Sequence, residues 1–176
     1  TSKKKLFAAA DYIKENAIAW SVAYEEENVI DQLNILQATQ SAMHKAIGTC
    51  VENAKNKLHD PIVHLLVDGN YFNSYIQFDK TTKQLNAISH TCVKGGDNTY
   101  ASIAAASILA KTERDIYIET LCDEYPLLDE HYRIRSNKGY GSKHHLQGIH
   151  QYGITKWHRK SFAPCKNMQK KNDLKL

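Results

Sequence analysis

Residues 61–70 read Pro61-Ile62-Val63-His64-Leu65-Leu66-Val67-Asp68-Gly69-Asn70, and this stretch decides the fold class. A short apolar run without strict alternation, opened by proline and closed by Asp-Gly-Asn, predicts a strand covered on both faces in a largely parallel sheet. Long helical patterns flank it. Upstream, Ile30, Leu33, Leu36, Met43, Ile47 and Val51 recur every three to four residues, which predicts a helix over 29–57. Downstream, 102–124 forms the chain's best helical pattern, and Tyr125-Pro126 should end it. A strand between helices of this kind makes the chain α/β.

The remaining segments fill in around that frame. Leu6, Ala9, Ala10, Ile13 and Ala17 predict an amphipathic helix over 3–17. Ile18, Trp20, Val22 and Tyr24 then alternate, as a half-buried strand would. Extended segments are expected over 71–93 around the polar turn Asp79-Lys80-Thr81-Thr82-Lys83, with Ile88, His90 and Cys92 alternating on the return. The last fifty residues, His-rich and punctuated by Gly139, Gly141, Gly148 and Gly153, read as loops and shorter helices.

Composition narrows the function. The chain has 176 residues, one domain's worth, with 42% hydrophobic and 24% charged residues, so a packed core rather than a disordered chain is expected. No run approaches the ~20 apolar residues of a membrane span, and the chain reads as soluble and intracellular. Cys50, Cys92, Cys122 and Cys165 lack paired metal-ligand spacing and read as free thiols. A net charge of +4 favours an anionic partner. The sequence starts with Thr1 rather than Met and opens partway into a helical pattern, which suggests a missing beginning.

Two carboxylates stand where chemistry is expected. Asp68 closes the buried strand, and ligands gather at the carboxyl ends of strands in open α/β sheets. It suits a hard divalent cation, or it makes an Asx turn. Asp97 follows Lys94-Gly95-Gly96 and precedes the long helix, so it caps that helix or reaches a metal. Asp115 lies too far along a continuous helix to share a metal pair with Asp97, at about 27 Å for 1.5 Å per residue. In Lys138-Gly139-Tyr140-Gly141-Ser142, the glycines expose a tyrosine able to stack on a sugar or base, unless its ring folds back on the core. His144, His145, His150 and His158 lack a zinc pattern and read as a polar surface facing nucleic acid, with Lys138, Lys143, Lys156, Arg159 and Lys160 around them.

Taken together, these segments resemble ribonuclease HII. The resemblance rests on Asn34-Ile35-Leu36-Gln37-Ala38-Thr39 with Ala42-Met43, Val67-Asp68-Gly69-Asn70, Ser102-Ile103-Ala104-Ala105-Ala106-Ser107-Ile108-Leu109-Ala110-Lys111 leading to Arg114-Asp115, Lys138-Gly139-Tyr140, and His158-Arg159 with Ser161-Phe162, in the family's order. It implies a ribonuclease H-like mixed sheet flanked by helices, as a single domain over 1–176 with 127–176 forming a C-terminal, substrate-facing helical and loop region. It also implies a metal-dependent endonuclease that cuts the RNA strand of RNA–DNA hybrids and single ribonucleotides in duplex DNA. Such an enzyme would be cytoplasmic, serve DNA replication and repair, and be monomeric when complete.

In that family four carboxylates hold the metal, Mg²⁺ or Mn²⁺. Asp68 falls on the third and Asp97 on the fourth. Tyr140 falls on the tyrosine that packs against the sugar where ribose gives way to deoxyribose, with Lys138 and Gly139 beside it as substrate contacts. Ser107 and Lys111 match a helix near the site, without direct contacts being expected of them. Two departures stand out. Gly96 is an addition to the family's Lys-Gly-Asp, and the opening Asp-Glu-Ala-Gly-Arg-Gly motif occurs nowhere in this chain. Thr1-Ser2-Lys3 resembles the family's Asp-Ser-Lys only superficially. The expectation is therefore an inactive, N-terminally incomplete chain of an active enzyme. The alternatives are a non-catalytic module that binds hybrids and a purely structural domain.

Overall fold

The structure, a computed structural model, describes residues 2–59, 61–79 and 82–168. Its elements run α1 (Lys3–Asn16), α2 (Glu27–Leu33), α3 (Ile35–Lys57), β1 (Leu65–Asp68), β2 (Ile76–Asp79), β3 (Gln84–Ala87), β4 (His90–Val93), α4 (Ala101–Glu124), α5 (Pro126–Tyr132), α6 (Ile134–Asn137) and α7 (Lys143–Tyr152). The chain falls into two compact units. One comprises 1–24 and 39–112, the other 25–38 and everything from 113 onward.

In the first unit β1 pairs with β4 in parallel, Val67 opposite Cys92 and Asp68 opposite Val93. Both strands therefore end at the same edge, and the chain between them runs through β2 and β3. β2 and β3 form a separate antiparallel hairpin, with Ile76 opposite Ala87 and Asp79 opposite Gln84. Its turn follows the polar signal: Thr82 N–H donates to Asp79 Oδ1 at 3.2 Å, and Lys83 takes φ 59°. The turn residues Lys80 and Thr81 lie outside the described residues. Val67, Phe72, Ile88, Ile103 and Leu109 are buried in this unit.

Three expectations need correction. Ile18–Tyr24 is not a strand: among the described residues no partner strand runs alongside it, and Ile18 and Tyr24 are exposed. Alternation sets which side is apolar, but a strand also needs a hydrogen-bonded neighbour. The run at 62–67 is buried only toward its end, with Val67 4% and Ile62 fully exposed, because the strand begins at Leu65 and Ile62 lies ahead of it. The helix expected over 29–57 is two helices. Asn34 breaks it at φ 73°, and its Oδ1 accepts from Gln37 N–H at 3.1 Å to open α3.

The second unit is built on the lower half of α4. Leu128, Tyr132, Ile134 and Ile149 from α5, α6 and α7 pack with Ile118 and Cys122 of α4. Pro126 takes the first position of α5, where its missing N–H costs nothing. Residues 25–38 join this unit through Asp31. Its carboxylate accepts from Lys160 N–H and Ser161 N–H, both at 2.8 Å, and from the Ser161 hydroxyl. Burial works against that charge, but the bonds from Ser161 and Lys160 outweigh it and hold the carboxyl below the usual aspartate range. All four cysteines are free thiols.

Candidate active site

The parallel pair β1 and β4 brings two loops together at its carboxyl edge. Asp68 ends β1, and its Oδ1 accepts the N–H of Gly96 at 2.9 Å. Gly69 turns away at φ 112° and donates its own N–H to the Val93 carbonyl at 2.9 Å. Asp97 follows in a single 3-10 turn, Gly96–Asn98, entered through Gly95 in the left-handed region at φ 63°.

The added glycine has a physical reason. A Cβ at Gly96 would sit 2.5 Å from Ile103 Cδ1 and 3.3 Å from Val93 Cβ, so any other residue would have to push the Ile103 side chain aside and crowd Val93 where the Gly96 N–H reaches Asp68. Two successive glycines thus carry the chain from β4 past Asp68 to Asp97. Asp97 does not cap α4, whose first bond runs from Ala104 N–H to the Tyr100 carbonyl. Instead its Oδ1 accepts from Asn98 Nδ2 at 3.1 Å.

Asp68 and Asp97 are both exposed. Each has one oxygen in the bonds just given, and the other has no partner among the described residues. The donor chemistry suits a hard divalent cation, which takes one or two carboxylates and completes its shell with water and phosphate oxygens. It suits only part of a site: among the described residues no third His, Cys, Asp or Glu joins them to make a metal cluster.

The second unit presents Tyr140. Lys138 and Gly139 both have positive φ, 54° and 82°, and lift the chain out of α6 so that Tyr140 stands 74% exposed. The approach is braced. Arg114 Nη2 donates to the Lys138 carbonyl at 2.7 Å, Asn137 Oδ1 takes the Gly139 N–H at 2.8 Å, and Lys138 Nζ pairs with Glu119 at 3.0 Å. Glu119 and Asp123 also hold Arg135. Lys138 is 19% exposed at its side chain, so contact between its ammonium and a substrate would have to break the Glu119 pair.

The histidines divide. His144 and His150 are exposed, but His145 and His158 are buried, each 6% exposed, and do not belong to a polar surface. His145 shares one face of α7 with Gly148, Ile149 and Tyr152, the stripe a helix turns inward. That spacing was the sequence signal for its burial. The two rings meet Nε2 to Nε2 at 3.2 Å, and Tyr132, fully buried, packs its edge against His158 with centroids 4.9 Å apart. Burial, with His145 beside it, pushes His158 down from 6.5 to about 4.

Comparison with known proteins agrees with these motifs. The family model described as Ribonuclease HII matches residues 2–165. A protein named Ribonuclease HII from Parabacteroides distasonis is 44% identical over 162 residues, covering 92% of this chain and 70% of its own length. One of the same name from Bacteroides thetaiotaomicron is 40% identical over 161 residues, with 92% and 70% covered. Another from Nitrosomonas europaea is 41% identical over 164 residues, with 93% and 65% covered.

Proposed function

The chain belongs to the ribonuclease HII family of ribonuclease H-type endonucleases, and from that premise we propose that it carries half of a metal-dependent active site for cutting RNA joined to or paired with DNA. The observation that carries this is the pairing of Asp68 with the Gly96 N–H, which sets the two carboxylate loops side by side at the ends of parallel strands. The substrates are RNA–DNA hybrids and duplex DNA containing a single ribonucleotide.

Asp68 and Asp97 would hold Mg²⁺ or Mn²⁺ together with the scissile phosphate. When bound, the cation supplies charge neutralisation at the phosphate and activation of the attacking water. Gly96 fixes the Asp68 carboxylate, and the glycine pair fixes the approach of Asp97. Tyr140, exposed on its braced turn, stacks on the sugar at the junction, where only a 2′-hydroxyl distinguishes RNA from DNA. Lys138 and Gly139 shape that turn and lie next to the substrate. Two carboxylates neutralise a cation pair poorly, so the 176-residue chain by itself does not cleave. The enzyme works in the cytoplasm in DNA replication and repair; no helix among the described residues is long and apolar enough to cross a membrane.

Manganese tests the site directly in this chain. Substoichiometric Mn²⁺ is expected to broaden the amide signals of Asp68, Gly69, Gly96 and Asp97 first, and Asp68→Asn or Asp97→Asn to weaken that broadening by at least about tenfold in Mn²⁺ concentration, since loss of even a ligand's outer-shell partner costs that much. Broadening centred on other residues, or unchanged in both variants, would remove these carboxylates from the proposal.

A further inference from the structure

Hydrogen bonds, more than packing, hold the turn that presents Tyr140. Gly139 and Gly141 offer no side chains, and behind them lies a cavity of about 180 Å³ lined by both glycines with Arg114, His145, Arg159 and Phe162. A loop backed by empty space takes its position from its tethers. The Tyr140 carbonyl has two: Ser142 N–H at 2.8 Å and His145 Nδ1 at 2.8 Å.

The second tether continues inward. His145 Nε2 meets His158 Nε2 at 3.2 Å, and His158 Nδ1 meets the backbone N–H of Thr155 at 3.0 Å and the Thr155 hydroxyl at 2.8 Å. Backbone groups at the two ends set the direction of the protons between them, and the Thr155 hydroxyl can donate in the same sense. A carbonyl only accepts, so His145 Nδ1 carries hydrogen. An amide N–H only donates, so His158 Nδ1 is bare and its proton sits on Nε2. The two demands agree: His158 Nε2–H donates to a bare His145 Nε2. A proton added at His158 Nδ1 would face the Thr155 N–H donor to donor and leave the Thr155 hydroxyl as its acceptor in place of a donor.

We propose that His145 and His158 are positioning residues for Tyr140: the one-way chain from Thr155 N–H through His158 and His145 to the Tyr140 carbonyl sets where the tyrosine stands against the sugar. This rests on Tyr140 as the substrate-stacking residue. The histidines touch no substrate; they act through the backbone of the residue that does.

The test uses the 176-residue chain in two parts. In ¹⁵N-histidine spectra at neutral pH, His145 is expected as the Nδ1–H tautomer and His158 as the Nε2–H tautomer, and the reverse assignment for either ring would overturn the proposal. In the second part, fluorescence anisotropy follows binding of a labelled duplex with one RNA–DNA junction at fixed salt. Tyr140→Ala is expected to weaken binding about tenfold, the loss of one stacked ring. His158→Leu is expected to weaken it about fivefold, an incomplete loss of the same contact. His158→Gln, whose amide both accepts from Thr155 and donates to His145, should restore it. In the Tyr140→Ala background, His158→Leu should have no further effect.

Equal effects of His158→Leu with and without Tyr140, or a folded His158→Gln that fails to restore binding, would make the histidines ordinary core residues. If Tyr140→Ala weakens binding and His158→Leu does not, the positioning role alone falls. If Tyr140→Ala has no effect, the substrate reading falls and takes this inference with it. Should His158→Leu fail to fold, the tautomers and His158→Gln still decide the question.

Discussion

Gly148→Ala is expected to destabilise the second unit by about 3 kcal/mol or more, against a helix propensity that favours alanine by about 1 kcal/mol. The two effects have opposite signs, and the geometry decides between them. A Cβ at Gly148 would lie 2.2 Å from the His131 carbonyl oxygen and 3.0 Å from Tyr132 Cδ1. The first contact is backbone, so no side-chain rotation relieves it. α7 would have to lift from α5, opening the core where Leu128, Tyr132 and Ile149 are each no more than 2% exposed. The stacked rings of His131 and Tyr152, 3.8 Å apart, would separate with them. Urea unfolding followed through Trp157 measures the effect. A midpoint unchanged or raised would show that α5 and α7 are not packed this closely.

The second large effect is an acid transition. His158 is held near 4 against an ordinary value of 6.5, so between those two values the unfolded chain binds a proton that the folded chain refuses. Stability is therefore complete above pH 6.5 and falls as the pH drops toward 4, by about 1.4 kcal/mol per pH unit and about 3 kcal/mol in all. Glu27 works in the opposite sense. Burial raises its carboxyl, so its folded form takes up a proton first and gains a little on acidification. Asp31, held below the usual aspartate range, keeps its contribution until the pH falls past that range, below the histidine window. Unfolding at pH 7.5 and 4.5 should show the loss, and His158→Gln should remove most of it. A stability that does not change between the two would mean that His158 titrates normally.

The parts of this molecule that were legible in sequence are those that local chemistry dictates. The helix from Ala101 to Glu124, the strand ending at Asp68 and the proline that opens α5 all follow from periodicity and backbone restriction. Asn34 carried its own signal, a capping residue three before Gln37, but the apolar pattern runs through it on both sides and hides the break. The segment 18–24 misled because alternation says nothing about whether a partner strand is there. Asp68 was legible as a strand-end carboxylate, whereas its bond to the Gly96 N–H depends on a contact 28 residues away. His145 and His158 are polar and surrounded by charge in sequence, which points to the surface. For His145 the spacing with Gly148, Ile149 and Tyr152 marks the inward face of α7, whereas the burial of His158 arises only when α7 closes on the segment at 154–158, and no local pattern encodes the 3.2 Å meeting of the rings.

The central claim is that Asp68 and Asp97 are half of a catalytic carboxylate set, and cleavage of a duplex with one embedded ribonucleotide tests it most directly. With Mg²⁺ or Mn²⁺ present, the 176-residue chain is expected to leave this duplex intact. The same chain extended by a segment carrying Asp-Glu-Ala-Gly-Arg-Gly is expected to cut it, and Asp68→Asn or Asp97→Asn to abolish that cutting. Robust cleavage by the unextended chain that Asp68→Asn abolishes, or cleavage by the extended chain that survives both substitutions, would contradict the account.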